Sequence, residues 1–275
     1  MNPADKIILW EAHRGGGGGF EMPESCPLSF EYGWLLGGRP EADVNLTADG
    51  IIISLHDPTL DRIVKDLPEE LKGKNISELT WQQIQNLEIT WPGYSGLHIP
   101  TMAQLFTRLQ CFPDRHMIID YKRVPLELLA DLIREYQVGE QITFASCNRD
   151  LCRQMKQLVP GIRTKNWLGG SADQIMASFQ TLVHENFQDI TEVQLHLNDA
   201  DNSAPWRYAL SPEFITKALE VTGNAGVLLQ VLPWKFERQD LYRILELGVR
   251  SFAVDYPNKF QQICAGFFAG RWKNS

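Results

Sequence analysis

The chain has 275 residues, 44% of them hydrophobic and 22% charged, with a formal net charge of −8. It is long and apolar enough to bury a sizeable core, which excludes a disordered chain. The acidic balance and the lack of any basic run exclude a broad nucleic-acid footprint, although a few local cations can still hold one phosphate. No stretch reaches the apolar length of a membrane span.

Five cysteines are present, at Cys26, Cys111, Cys147, Cys152 and Cys264. The number is odd and no metal-ligand spacing occurs, so they read as free thiols in a reducing, cytoplasmic compartment. The C-x4-C of Cys147 and Cys152 reads as a chance spacing at a helix start.

Ile7–Ala12 is a short apolar run that predicts a buried strand. It ends at His13-Arg14 and the glycine run 15–19. That run is either a flexible linker or a turn whose amides face an anion, with Arg14 adding a bidentate contact to a phosphate. A helix over Leu28–Leu36 follows, with Ser25 as its cap and Gly37-Gly38 as its stop.

The next stretch, Glu41 to Asp57, carries two apolar-bearing runs around Asp49-Gly50 and reads as a hairpin. Alternation along a strand sets Glu41 and Asp43 side by side. A turn centred on Ala48-Asp49 pairs His56 with Glu41, and a two-residue Asp49-Gly50 loop pairs it with Asp43. Either register gathers two carboxylates and an imidazole, a set that suits a hard cation beside an acid/base group.

Residues 58–98 are too long for a simple connection and read as an insertion of short helices and loops. Thr101 caps a helix over Met102–Leu109. The strand His116–Lys122 then brings Asp120 and Lys122 to one face at its end. From Leu126 onward, helices and strands alternate to the end of the chain. Counting the strands near Ile7, Glu41 and Met117 gives eight, which argues for a (β/α)8 barrel, with an open doubly wound sheet as runner-up. In a barrel, functional groups gather at the carboxyl ends of the strands. His13-Arg14, Glu41/Asp43 and Asp120/Lys122 would then be neighbours on one rim.

The sequence resembles the glycerophosphodiester phosphodiesterase family. The resemblance rests on His13-Arg14-Gly15, Pro23-Glu24-Ser25, Glu41-Ala42-Asp43-Val44, Leu46-Thr47-Ala48-Asp49-Gly50, His56-Asp57 and Leu60-Asp61-Arg62. It continues through Ile76–Thr80, Ile99–Met102, Asp120–Lys122, Ser146, Gly248-Val249 and Asp255–Pro257. It implies a single TIM-barrel domain over residues 1–275, with a small insertion after the second strand. It also implies metal-dependent hydrolysis of a glycerophosphodiester to glycerol 3-phosphate and an alcohol. By position, Glu41, Asp43 and Asp120 would bind the cation, Mg2+ or Ca2+. His13 and His56 would be the acid/base pair. Arg14 and Lys122 would hold phosphate oxygens, with Glu24 supporting the site. A small-molecule substrate follows; the oligomeric state does not.

The departures are Asp120 for the family's glutamate and Ser25 for the asparagine of P-E-N. Leu229–Leu232 replaces W-T-V-N, and Val254 replaces the threonine of T-D-x-P. The shorter Asp120 would bind the metal through water or shift the ion; the other changes bear on substrate rather than reaction class. Two other readings are a phospholipase D-like lipase, disfavoured because no C-x-C loop lies near Pro58, and a silent barrel that binds a phosphorylated ligand. His98, His116, His184 and His196 match no motif and read as structural or surface residues. Asp57 and Asp61 read as loop braces. Trp206 and Trp234 follow strands, so they either line the pocket or simply pack.

Overall fold

The structure, a computed structural model, describes residues 7–200 and 205–270. The chain opens with β1 (Leu9–Ala12), α1 (Pro27–Leu35), β2 (Arg39–Leu46) and β3 (Ile52–Ser54). A short α2 (Trp81–Ile84) lies in the insertion, followed by α3 (Met102–Cys111) and β4 (Met117–Arg123). Then strand and helix alternate: α4 (Leu126–Glu135), β5 (Ile142–Ser146), α5 (Arg149–Leu158), β6 (Arg163–Leu168), α6 (Ala172–His184) and β7 (Glu192–Leu197). The chain continues with α7 (Pro212–Asn224), β8 (Leu228–Pro233), α8 (Arg238–Glu246), β9 (Ser251–Val254) and α9 (Pro257–Phe268).

Strand β1 pairs in parallel with both β2 and β9, so the sheet closes on itself. With β3 set aside as an antiparallel partner of β2, the closed sheet is an eight-stranded parallel barrel ringed by helices. The helices are held by apolar stripes of helical period. In α3, Met102, Leu105, Phe106 and Leu109 are buried; in α4, Leu126, Leu129, Ala130 and Ile133. Each such leucine stabilises by about 1.5–3 kcal/mol. Thr101 caps α3 as expected, its hydroxyl accepting from the Gln104 amide at 3.2 Å.

The insertion has its own small core. Ile53, Leu55, Leu60, Ile63, Leu71, Ile76, Leu79 and Ile84 cluster apart from the barrel core. It leans on the hairpin through the Asp49 carboxylate, which accepts from the Trp81 amide at 2.9 Å.

The barrel interior departs from the usual layers of branched apolar side chains. Arg39 makes a bidentate pair with Glu192, at 2.6 and 3.0 Å. Lys165, 1% exposed, donates to Glu11 and to Gln230, and Gln194 donates to Gln230 at 2.6 Å. These groups sit at inward positions of β1, β2, β6, β7 and β8, and each finds a partner inside the barrel, as buried charges must.

Two local expectations fail. The hairpin takes neither proposed register. Val44 pairs with Ser54 and Leu46 with Ile52, so Leu55 meets Asp43 and His56 lies opposite neither acid. The Thr47 hydroxyl accepts the Ile51 amide at 2.9 Å and donates to Asp49 at 2.7 Å, which fixes a three-residue turn with Gly50 at φ +81. The cap of α1 is Cys26, whose amide donates to the Ser29 hydroxyl at 3.2 Å. Ser25 instead adopts φ +51, a left-handed conformation that asparagine tolerates better than serine.

Candidate active site

The register of β2 on β4 sets Asp43 beside Asp120, and alternation brings Glu41 to the same face. One oxygen from each of Glu41, Asp43 and Asp120 lies within 4.8 Å of the others. Lys122 Nζ is 3.0 Å from Asp43 Oδ1 and also pairs with Asp120. Asp120 Oδ1 accepts a second hydrogen bond, from the Trp167 indole at 2.9 Å. Burial and the neighbouring Asp43 push the Glu41 carboxyl well above its ordinary range. Burial likewise raises Asp120, although Lys122 opposes the shift. Burial would lower the Lys122 ammonium, but Asp43 and Asp120 outweigh it and hold the proton.

Asp43 is 1% exposed, and neither of its oxygens accepts a hydrogen bond. Its Oδ1 has the Lys122 ammonium at 3.0 Å, but one shared cation compensates this buried carboxylate only in part. One ammonium faces three carboxylates. Converging hard oxygen donors with an unsatisfied member fit a hard divalent cation such as Mg2+ or Ca2+.

The two histidines end different strands. His13 follows β1, and its Nδ1 lies 2.6 Å from Asp255 Oδ1, just after β9. Burial opposes charge on this ring. The Asp255 hydrogen bond and the fields of Glu41, Asp255 and Asp43 outweigh burial and lift its pKa to about 9. His56 Nδ1 lies 2.7 Å from Asp57 Oδ1. With Nδ1 engaged in each ring, Nε2 is the nitrogen left for a substrate.

Asp57 does more than brace a loop. Its Oδ2 accepts from Arg62 Nε at 2.5 Å, and Arg62 then grips Glu24 with two nitrogens, at 2.9 and 2.5 Å. Glu24 in turn accepts from Arg14 Nη1 at 3.1 Å. Burial would raise Asp57, but Arg62 and His56 hold it below the usual carboxylate range. A continuous line of charge thus runs from His56 to Arg14. Asp61 does brace a loop, accepting from the Gly73 amide at 3.0 Å.

The glycine run is neither a linker nor an anion nest. The amides of Gly17 and Gly18 donate to the His13 carbonyl, at 2.8 and 2.7 Å, and that of Gly15 to Ala12. A Cβ on Gly17 would stand 2.6 Å from the Asp255 carbonyl, and one on Gly18 would stand 2.3 Å from the Asp255 carboxylate. Gly17 and Gly18 are glycine because they pack against His13's own partner. Arg14, at φ +52, turns its amide onto Glu41 Oε2 at 2.6 Å, which ties the turn to the acid cluster.

These groups open onto a cavity of about 200 Å³ lined by His13, Arg14, Glu41, His56, Asp120 and Lys122. Its opposite wall is aromatic. Trp167 and His196 stack with centroids 5.2 Å apart and planes 6° apart. Trp234 sets its ring edgewise to His196 at 5.2 Å and to His13 at 5.7 Å. His196 is therefore part of the cavity, not a surface residue; alternation in β7 turns it inward with Gln194. Burial, then the charges of His13 and Lys122, lower its pKa to about 4. Trp234 lines the cavity, whereas Trp206 donates to the Leu210 carbonyl and packs edgewise on Tyr208. Sequence reasoning placed Arg62 and Asp255 in matching blocks but gave them no site role, and it missed Glu11, Lys165 and Trp167. A lysine at an inward-alternating position of β6 and an aspartate just after β9 were the available signals.

Barrel, acid cluster and paired imidazoles together define a phosphodiesterase-type TIM barrel. Residues 13–259 match the model of the glycerophosphoryl diester phosphodiesterase family, and the chain belongs to that family. It is 25% identical to a glycerophosphodiester phosphodiesterase of Bacillus subtilis (strain 168), over 94% of this chain and 87% of that one. Identity to one from Caldanaerobacter subterraneus is 24%, over 90% and 93%. Among solved structures, a glycerophosphoryl diester phosphodiesterase from Parabacteroides distasonis superposes with a TM-score of 0.74 at 20% identity, covering 96% of this chain and 88% of that one. One from Agrobacterium tumefaciens gives 0.69 at 17% identity, over 93% and 100%. Among the described residues, no helix is long and apolar enough to cross a membrane.

Proposed function

We propose that this chain hydrolyses glycerophosphodiesters to sn-glycerol 3-phosphate and an alcohol. The observation that carries this reading is the convergence of His13, His56, Arg14, Lys122, Glu41 and Asp120 on one cavity at the carboxyl end of the barrel, with Asp43 grouped with the two acids. Glu41, Asp43 and Asp120 are the residues that would hold Mg2+ or Ca2+. Such an ion, when bound, polarises a phosphoryl oxygen and offsets charge on the phosphate. Arg14 and Lys122 hold the remaining phosphate oxygens. Glu24 fixes the direction of Arg14 and, being anionic, stays behind it, away from the phosphate.

One imidazole takes the proton of the glycerol hydroxyl next to the phosphate, and that oxygen attacks phosphorus. The other gives a proton to the departing alkoxide, releasing the alcohol and a cyclic phosphate. Water then opens the ring with the two proton roles exchanged. The fixed carboxylates behind both rings, Asp255 and Asp57, keep Nδ1 engaged and stabilise each imidazolium as it forms. Barrel and insertion act together as one catalytic unit over residues 1–275. The free state of all five cysteines fits a reducing cytoplasm.

The test is release of glycerol 3-phosphate from glycerophosphocholine and glycerophosphoethanolamine with Mg2+, Ca2+ or EDTA, for the wild type and His56→Ala. The expected result is cation-dependent release that is lost in the variant. Absence of release with either ion would sink the reading.

A further inference from the structure

Asp120 stands where the resemblance places a glutamate, so its carboxylate starts one methylene further from the cation it is proposed to hold. A shorter side chain has fewer rotamers that reach a given point, so its direction must be fixed by something else. In the structure both Asp120 oxygens are already directed. Lys122 holds Oδ2, and the Trp167 indole N–H holds Oδ1 at 2.9 Å. The indole is itself fixed. Trp167 follows Asn166 near the end of β6, and His196 of β7 covers its face at 5.2 Å, nearly parallel. Trp234 meets His196 edgewise at 5.2 Å. The sheet order puts β5 between β4 and β6, and β5 offers Ala145 at that level of the cavity. A small residue there leaves the indole room to cross from β6 to Asp120. The stack thus buttresses one carboxylate from two strands away.

Resting on the cation-binding reading above, we propose that Trp167, clamped flat by His196, is a positioning residue that turns the short Asp120 side chain toward the divalent cation. The residue acts through Asp120, the carboxylate to which its indole donates. Groups that orient a metal-binding carboxylate by hydrogen bonding change metal affinity by about 10–100-fold when removed. A structural packing role alone would leave that affinity unchanged.

The experiment is titration of the purified chain with Mn2+, following the free-ion signal by electron paramagnetic resonance, with substrate absent. Trp167→Phe keeps the ring and its stack but loses the N–H. Its Mn2+ affinity is expected to fall by about 10-fold or more. The same substitution made in Asp120→Glu is expected to cost distinctly less, because the longer carboxylate reaches without the indole. His196→Leu, which loosens the clamp and leaves the N–H, is expected to show a smaller loss in the same direction. It reads the same arm should Trp167→Phe unfold in EDTA. Wild-type affinity in Trp167→Phe, or an equal loss with Asp120 and with Glu at that position, overturns the proposal while the cation reading stands. Failure of the wild type to bind Mn2+, Mg2+ or Ca2+ overturns both.

Discussion

On the side of β1, β2 and β4 the cavity wall is made of charges, whereas on the side of β6, β7 and β8 it is made of rings. Charges on the first side are answered by one another: His13 by Asp255, His56 by Asp57, Asp57 and Glu24 by Arg62, Asp120 by Lys122. The rings of Trp167, His196 and Trp234 meet by stacking and edge contacts, worth about 0.5–1.5 kcal/mol each beyond their burial, with one hydrogen bond from Trp167 to Asp120 and one between His196 and Gln194. The difference separates work from support. On the proposed reading, proton transfer and phosphate binding need groups whose charge is fixed in place, and the aromatic side excludes water, holds shape and directs Asp120 through Trp167.

Substitutions on the two sides should therefore split by size. His13→Ala and His56→Ala are expected to lower turnover of a glycerophosphodiester by about 10²–10⁴-fold. Trp234→Leu, on the ring side, is expected to lower it by less than about 10-fold, the smaller loss of a wall contact. Steady-state kinetics on one substrate decides it. A Trp234→Leu enzyme as slow as His56→Ala would break the division between work and support.

Beneath both sides lies the charged floor, where the expected effect is on stability. Lys165→Met leaves Glu11 and Gln230 facing each other without the ammonium that joins them. Removing one partner of a buried pair costs about 3–5 kcal/mol. Urea unfolding of Lys165→Met should show that loss, and Glu11→Leu/Lys165→Met should recover much of it. A double variant no better than the single would mean that the pair is not the unit that matters.

The same contrast explains what the sequence made legible. The charged side was readable because its members sit in short blocks: His13-Arg14, Glu41 with Asp43, His56-Asp57, Asp120 with Lys122. Strand alternation alone set Glu41 beside Asp43 and Asp120 beside Lys122, and both juxtapositions hold in the fold. The eight-fold alternation of strand and helix was likewise periodic and local. The aromatic side was not readable, because its contacts join β6, β7 and β8 across 67 positions, from Trp167 to Trp234. His196 carries no local mark beyond alternation with Gln194. Asp255, the partner of His13, lies 242 residues away. The hairpin register failed for another reason: the Thr47 hydroxyl, not the Asp-Gly pair, sets the turn.

A smaller effect sharpens the role of Arg62, which is half-exposed yet joins two carboxylates. Ion pairs at such a site contribute about 0–1 kcal/mol to stability. Arg62→Ala should accordingly leave the unfolding midpoint nearly unmoved. Turnover should still fall, by up to about 10²-fold, because Asp57 and Glu24 lose the group that aligns them behind His56 and Arg14. Equal turnover in wild type and variant would show that the line of charge is incidental.

The smallest effect concerns His196, the ring at the centre of the aromatic side. Its ordinary value of 6.5 falls to about 4 in the fold, through burial first and then the charges of His13 and Lys122. A depressed histidine stabilises the fold above its unfolded pKa, where both states are neutral, and loses that contribution as pH falls. Between pH 6.5 and about 4 the unfolded chain takes up a proton that the folded ring refuses, so stability declines across that window. His196→Phe keeps an aromatic face against Trp167 but cannot titrate. Urea midpoints measured from pH 7.5 to 4.5 should therefore fall less steeply for His196→Phe than for the wild type. Parallel curves would mean that His196 meets the proton as readily in the fold as out of it, and that the ring side is wetter than its stacking implies.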